Sequence, residues 1–485
     1  MFDTETNKGT ATTDSRPRVI VTSDGEFDDE NSLIHLLLYA NEIDIAGIVQ
    51  TSSYYHWKGS PNGTESRYGS GKAALRWPGS SWMFKIIDAY EKVYPNLKVH
   101  NLNYPSPDHL RSVTKVGNVG YEGEMDGPTD GSNLIKEYIL DSDPRPLFIE
   151  FWGGPNTCAM ALKQIEEEYK NTPKWDEIYL KVGNKVIFTA CSKQDRTYDE
   201  YISKSWPNLP LIDADSQISY GYLTKGQGSE EMRKTLSSSW MYQNIEKGHG
   251  PLLDLYVTWG DGTYLPYEPP MYQFGCNDDL LHNTDWWGKL AYDRYDFLSE
   301  GDSPTFFHLL DTGLRATTLE EFTYGGYSGR YGRNSITEAD PNTWTILDDH
   351  GQHSIQKWIP DIQHDFAARA DWCITPDFKD ANHRPDLKIR EGLSLAAKPG
   401  EAIELNAEAS DPDGDHVSVS WWHYAEAGSY KAAAPISLKC DQTNTVSFLV
   451  PLDANNGDTI HILARAMDDG EHNLVYYQRI IITVS

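Results

Sequence analysis

Four carboxylates fall within six residues: Asp24, Glu26, Asp28 and Asp29, in the stretch RVIVTSDGEFDDENSLIHLLLY at residues 18–39. Crowded carboxylates repel one another unless a cation or a shared proton relieves them. Oxygen-rich clusters of this kind suit a hard cation. A plainer reading is that acidic side chains cap a helix and complement its dipole. That accounts for Asp28 or Asp29 but leaves Asp24 and Glu26 unexplained, so the turn is expected to hold a hard metal ion.

The flanking residues say what positions the turn. Val19, Ile20 and Val21 read as a buried strand, and Leu33, Ile34, Leu37 and Leu38 share one face of a helix. Residues 43–49 (IDIAGIV) form a second strand, making a βαβ unit and hence a parallel sheet. Carboxylates between a strand end and a helix start then lie at the sheet's carboxyl edge, where open α/β folds place their sites. Further along, residues 50–76 read as a loop, 81–94 as a helix, 97–102 as a strand, and 118–132 as an acidic, Gly-rich loop whose Asp130 or Ser132 suits a helix cap. Strands are expected at 146–152, 185–190 and 209–212, with a helix at 158–169 after the turn GGPNT and a charged helix at 355–372. Residues 213–330 give mixed helix and aromatic loop without clear periodicity.

From residue 393 the period changes to two, in AIELNAEA, HVSVSWW, TVSFLV, DTIHILARA and LVYYQRIIITV, which indicates a β-sandwich of about 100 residues. The expected organisation is a flexible tail at 1–16, a large α/β domain at 17–386 and an Ig-like β-sandwich at 387–485.

A formal net charge of -30 over 485 residues argues against binding a nucleic-acid backbone. No apolar run is long enough to span a membrane. The polar N-terminus lacks the apolar core of a signal peptide, which fits either an intracellular protein or a mature secreted form. Five cysteines without a CxxC pair support neither a zinc knuckle nor a redox motif, and leave one or two disulfides open. The 15 Trp and 29 Tyr are numerous enough to tilt the reading slightly toward carbohydrate.

SDGEFDDENSLIHLLLYANEIDIAGI resembles the N-terminal signature of nucleoside hydrolases, DxDPGxDDAxALLLA followed by a DIELLGI-type strand. WGGPNTCAMAL resembles their TGGLTNIAMAL turn, and GDSPTFFHLL their HDPxxxAYLL segment. The chain is similar in particular to a nucleoside-hydrolase-like branch carrying a β-sandwich, the group typified by a cellulose-binding protein. SKQDRTYDEYISKSWPNL, ARADWCITPDFKDANHRP and WWHYAEAGSY also resemble that branch. The resemblance implies an α/β fold, a mostly parallel sheet with helices on both faces, followed by the sandwich. It implies Ca²⁺ held by Asp24, Asp29, the Trp152 carbonyl and Asp302. Asp24 would take the proton of a metal-held water attacking an anomeric carbon, and Asp28 would accept hydrogen bonds from sugar hydroxyls. Nucleoside hydrolases are commonly oligomers, so a homo-oligomer is possible.

The departures fall on the leaving-group side. Thr22 replaces the family's first Asp, Gly25-Glu26 replaces Pro-Gly, and Gly301 replaces a His. An acid near the glycosidic oxygen is then sought among Glu26, Glu124 and Asp195, in that order. Their plainer roles are an outer-shell ligand, a solvated loop residue and a helix cap. Gln194 lies past a strand end and could reach the pocket, and Trp57, with Tyr54 and His56, could stack on a sugar or simply pack. Trp421, Trp422 and Tyr424 could form a glycan platform or pack the sandwich against the large domain. The expected function is a Ca²⁺-dependent glycoside hydrolase acting on a carbohydrate or glycoside. The alternatives are a nucleoside N-ribohydrolase and a carbohydrate-binding protein with a decayed site.

Overall fold

The computed structural model describes residues 14–59, 74–214, 220–221, 224–268, 274–276, 281–282, 291–297, 300–333, 342–349, 352–431, 436–440 and 444–485. Residues 1–13 of the expected tail, and parts of the 50–76 and 213–330 stretches, lie outside these.

Eight strands build the large sheet in the order β3-β2-β1-β4-β5-β6-β8-β7. They are β1 Arg18–Ser23, β2 Asp44–Gln50, β3 Thr114–Val116, β4 Leu147–Phe151, β5 Val186–Ala190, β6 Leu211–Asp213, β7 Tyr331–Arg333 and β8 Thr343–Ile346. All are parallel except β7, which runs antiparallel on the edge against β8. Every residue of β1 and β4 is buried, as expected of strands covered on both faces. Successive side chains of a strand point to opposite faces. Val19 and Val21 therefore join the core beneath helices α1 (Phe27–Leu38) and α2 (Trp82–His100), while Ile20 joins the core on the other face. That second core is closed by α4 (Asp130–Leu140), α5 (Asn156–Tyr169) and α6 (Trp175–Lys185), with α3 (Pro107–Val113) leading into β3. The helix Ile359–Trp372 completes the first layer.

Two local expectations are corrected. Residues 97–102 do not form a strand, because α2 runs through Pro95 to His100. Met83, Ile86, Ile87, Tyr90, Val93 and Leu97 keep one apolar face buried past the proline, and that burial outweighs the hydrogen bond the ring removes. The cap of α4 is Thr129, which accepts from the Ser132 N–H while Ser132 reciprocates. All five cysteines are free.

The C-terminal region pairs two four-stranded sheets. One has the order β11 (Asp386–Ile389), β13 (Ala402–Ser410), β16 (Thr445–Leu449), β15 (Lys439–Cys440), and the other β12 (Ser394–Ala397), β18 (Val475–Val484), β17 (Thr459–Met467), β14 (Ser418–His423). A two-residue hairpin, β9 Asp348–Asp349 with β10 Gln352–His353, precedes it. Tyr424, Leu463 and Tyr477 belong to the large domain's core, and Trp422 stands edge-on to Tyr477 at 6.0 Å. Tyr424 and Trp422 thus pack the sandwich onto the large domain. Fully buried Arg479 donates to the Leu314 and Gly325 carbonyls at 2.6 Å each.

Gly313 sits in this seam with φ +75°, and a Cβ there would lie 1.8 Å from the Tyr477 carbonyl oxygen. The left-handed backbone alone costs a non-glycine residue about 1–3 kcal/mol, and here a strand carbonyl must move as well. Gly313→Ala is expected to lower the denaturant midpoint by at least that equivalent, with an unchanged m-value.

Candidate active site

β1 ends at Ser23 and α1 begins at Phe27, so Asp24, Gly25 and Glu26 form the connecting turn. Gly25 has φ +79°, and a Cβ would lie 2.7 Å from Trp82 Nε1 and 2.8 Å from Pro78 Cγ. Glycine alone fits. Glu26 is the N-cap residue but makes no side-chain capping bond, which leaves its carboxylate free to face the site. Asp28 and Asp29 lie in the first turn of α1, at the positive end of its dipole.

The neighbouring strand brings the second wall. The Trp152 and Gly153 N–H groups both donate to the Thr22 carbonyl at 2.9 Å. A Cβ on Gly153 would meet the Asp24 amide nitrogen at 2.8 Å, and one on Gly154 would meet Asp195 Oδ2 and the Ser52 carbonyl at 2.4 Å each. The Gly-Gly pair therefore lets the carboxyl ends of three strands converge.

Asp28, Asp29 and Asp302 are buried, and one carboxylate oxygen from each lies within 4.8 Å of the others. Ser23 Oγ donates to Asp29. Among the described residues no well-aligned hydrogen bond reaches either Asp302 oxygen or Asp24 Oδ2. Burial first, and then Asp24, Asp302 and Asp28, push Asp29 well above the usual carboxylate range. Burial, Asp28 and Asp24 do the same to Asp302. Four carboxylates so placed are mutually destabilising without a cation. The donors are all oxygen, and at the end of the neighbouring strand Gln194 Nε2 donates to the Trp152 carbonyl. This set fits a hard cation such as Ca²⁺.

A second cluster adjoins the first. Atoms of Asp24, Glu26 and His56 lie within 4.8 Å of one another. His56 Nδ1 is 3.4 Å from Asp24 Oδ2, and its Nε2 is 3.4 Å from Glu268 Oε1. Arg76, a non-glycine residue at φ +41°, donates to Glu26 at 2.9 Å and also to Glu268. Burial opposes a charge on His56, but Asp24, Glu268 and Glu26 outweigh it and raise the imidazole to about 10. Burial likewise opposes charge on Asp24, yet His56, Ser53 and Arg76 hold it below the usual range. Glu26 goes the other way: burial, Asp28 and Asp24 lift it to about 8 against His56 and Arg76.

The structure brings Asp28, Asp29 and Asp302 into one cluster and Asp24 and Glu26, with His56, into the adjoining one, and it pairs Gln194 with the Trp152 carbonyl. Asp195 Oδ2 accepts from the Asn156 N–H, the first residue of α5, and Oδ1 accepts from the Thr197 N–H and hydroxyl at 2.7 and 2.6 Å. Burial raises it to about 7 against those bonds. Glu124 accepts from the Gly120 N–H at 2.5 Å within its own loop. Trp57 is 2% exposed, and its backbone pairs both ways with Leu75. His56 is fully buried between carboxylates. Arg76 and Glu268 were not expected from the sequence. They lie 192 residues apart, with no local signal to link them.

With its fold and site, the chain belongs to the family described as cellulose-binding Sde182, nucleoside hydrolase-like domain, whose model matches residues 18–331. Residues 402–484 match the C-terminal domain of the cellulose-binding protein Sde0182. Among solved structures, a nucleoside hydrolase-related hypothetical protein from Saccharophagus degradans, described as associated with carbohydrate metabolism, is 28% identical. That match has a TM-score of 0.71 and covers 97% of this chain and 100% of that one. Three N-terminal domains of the bacteriophage RB49 highly immunogenic outer capsid protein (Hoc) match at 13% identity. They cover 21% of this chain and 30% of that one at a TM-score of 0.15, too low to bear on the fold. No curated protein matches the chain.

Proposed function

We propose that the protein is a Ca²⁺-dependent hydrolase cleaving a glycosidic bond of a glycan or glycoside. The observation that carries this is the convergence of buried Asp28, Asp29 and Asp302 at the carboxyl edge of the sheet, with buried Asp24 in the adjoining cluster and, among the described residues, no well-aligned hydrogen bond on Asp24 Oδ2 or either Asp302 oxygen. The family's cellulose-binding description and its relative's association with carbohydrate metabolism support a sugar substrate.

Asp24, Asp29, Asp302 and the Trp152 carbonyl would hold the ion. When bound, Ca²⁺ supplies positive charge that makes a nearby water more acidic and helps fix sugar hydroxyls. The remaining chemistry belongs to side chains. His56 keeps Asp24 ionised, so an Asp24 oxygen can accept the proton of the attacking water. Asp28, at the first turn of α1, accepts hydrogen bonds from sugar hydroxyls and fixes the ring. Glu26 keeps its proton near neutrality and donates it to the leaving oxygen. Asp24 and Glu26 lie within 4.8 Å, closer than the roughly 6.5–9.5 Å of inverting glycosidase pairs. Gln194 orients the Trp152 carbonyl.

The test is release of reducing sugar from a panel of polysaccharides and aryl glycosides, with and without chelator. Turnover is expected with Ca²⁺ and none after chelation; full activity in the chelated sample would sink the reading. Ribose released from inosine or uridine would decide for nucleoside hydrolysis instead. A second reading, carbohydrate binding without turnover, is favoured by the near-complete burial of the four aspartates and by the family's description. It expects retention on insoluble cellulose with no sugar released by any substrate.

A further inference from the structure

Far along the chain from the carboxylate turn, the sandwich meets the large domain through a mixed cluster of imidazoles and carboxylates. Asp371 lies near the end of the helix Ile359–Trp372, and Glu471 and His472 lie in the turn between β17 and β18. One ligand atom from each of the three lies within 4.8 Å of the others. His472 Nε2 is 2.8 Å from Asp371 Oδ2. A fourth group arrives from another segment: His249 Nε2 is 3.3 Å from Asp371 Oδ1.

The tautomer of His249 is fixed by its other nitrogen. Nδ1 lies 3.1 Å from the Ile245 carbonyl, which can only accept, so Nδ1 carries the proton. In the neutral ring Nε2 then presents a lone pair to a carboxylate oxygen. Either a proton on Nε2 or a cation between the two atoms satisfies that contact, and an Nδ1–H bonded to a backbone carbonyl is the usual outer support of a metal-ligating histidine. The turn carrying the other two ligands is braced. Asp468 Oδ1 accepts from the Gly470 and Leu474 N–H groups, and the Glu471 carbonyl accepts from Asn382 at 2.6 Å. His249 is 9% exposed and His472 10%, while Asp371 at 25% leaves an entry path.

We propose that His249, Asp371, Glu471 and His472 form a binding site for a divalent transition-metal ion of the zinc type, clipping the sandwich to the large domain. Asp371, Glu471 and His472 offer two carboxylates and an imidazole nitrogen within mutual reach, and His249 closes from the other Asp371 oxygen, a mixed nitrogen and oxygen set that suits zinc and is unlike the oxygen-only cluster at the sheet edge. Three ligand-bearing segments, at 249, 371 and 471–472, are joined by one ion, so its binding energy adds to the stability of the seam.

The experiment titrates ZnCl₂ into the chelator-stripped full chain by calorimetry, with excess CaCl₂ present to occupy oxygen-only sites. One Zn²⁺ per chain is expected, with a raised unfolding midpoint, and Co²⁺ in its place should give the visible absorption of a four-coordinate site bearing imidazole. His472→Ala, on a surface turn, should abolish both signals while far-UV circular dichroism stays as in the wild type and the metal-free unfolding midpoint falls only by the loss of its contact with Asp371. His249→Ala should abolish them too, and Asp24→Asn should leave them intact. Absence of Zn²⁺ uptake, or an unchanged Zn²⁺ stoichiometry and Co²⁺ spectrum in His472→Ala, would overturn the proposal and leave the cluster a set of ion pairs around Asp371.

Discussion

Asp24→Asn is expected to lower kcat/KM by about 10³-fold or more, because a positioned base contributes about 10²–10⁴ and this one is also a metal ligand. The change removes a charge and a proton acceptor, weakens a metal ligand and takes away the ion-pair partner of His56, but leaves the backbone untouched. The Asp24 side chain accepts one amide bond, from Glu26 N–H at 3.3 Å, which the Asn carbonyl oxygen can keep. The sheet end is otherwise held by backbone bonds, such as Trp152 N–H to the Thr22 carbonyl, so the variant should fold. His56 loses its strongest partner and should become easier to deprotonate. Steady-state kinetics on the best substrate of the panel, alongside calorimetric binding of the same sugar, separates the two losses. Binding within a few-fold of wild type with turnover gone is the expected pattern. Wild-type turnover would remove Asp24 from the chemistry.

The opening βαβ unit was legible because its signals are local. β1 is apolar throughout, and α1 repeats Leu33, Ile34, Leu37 and Leu38 on one face, so neither needs tertiary information. Asp24, Glu26, Asp28 and Asp29 were legible as a cluster for the same reason. Asp302 was reachable only through resemblance, since it arrives from more than 270 residues away. The sandwich announced itself by its period of two. Edge strands β3 and β7, three residues each, carry too little pattern to register, and α2 hid its length behind Pro95.

The leaving-group side was illegible for a different reason. Whether an acid is available depends on which backbone N–H groups point at it, and those are set by turns. Asp195 is engaged by Asn156 and Thr197, and Glu124 by Gly120, although both looked as open as Glu26 in the sequence. Conversely, His56 read as a residue that could stack on a sugar or simply pack. It is buried instead, and Asp24 and Glu268, which flank it from other segments, raise its imidazole to about 10. Arg76 and Glu268 complete that charge set through one long-range ion pair.

The stability of the chain should depend on pH in a way that Ca²⁺ cancels in part. Asp29 and Asp302 are raised well above their unfolded value of 3.8, so the folded state holds more protons than the unfolded one above that pH. Their contribution is fully present below the unfolded pKa and is lost as pH rises toward the raised folded values. Without metal, stability should therefore fall as pH rises above the unfolded value of 3.8. Ca²⁺ binds the deprotonated carboxylates, so its stabilisation should grow over the same window, reaching about 2.7 kcal/mol at 100 times Kd. Glu150, raised to about 8, and Glu246, raised to about 9, both chiefly by burial, slope the same way but do not answer to Ca²⁺. Buried His308 and His461, lowered to about 3, act oppositely and only below their unfolded value of 6.5, where stability is lost as pH falls. The informative quantity is thus the difference between melting curves with and without Ca²⁺ at each pH. Asp302→Asn should raise the metal-free midpoint at pH 8 by removing one of the repelling charges, and should lose most of the Ca²⁺ increment. A Ca²⁺ increment flat from pH 5 to 8, or retained in Asp302→Asn, would mean that these carboxylates do not hold the ion.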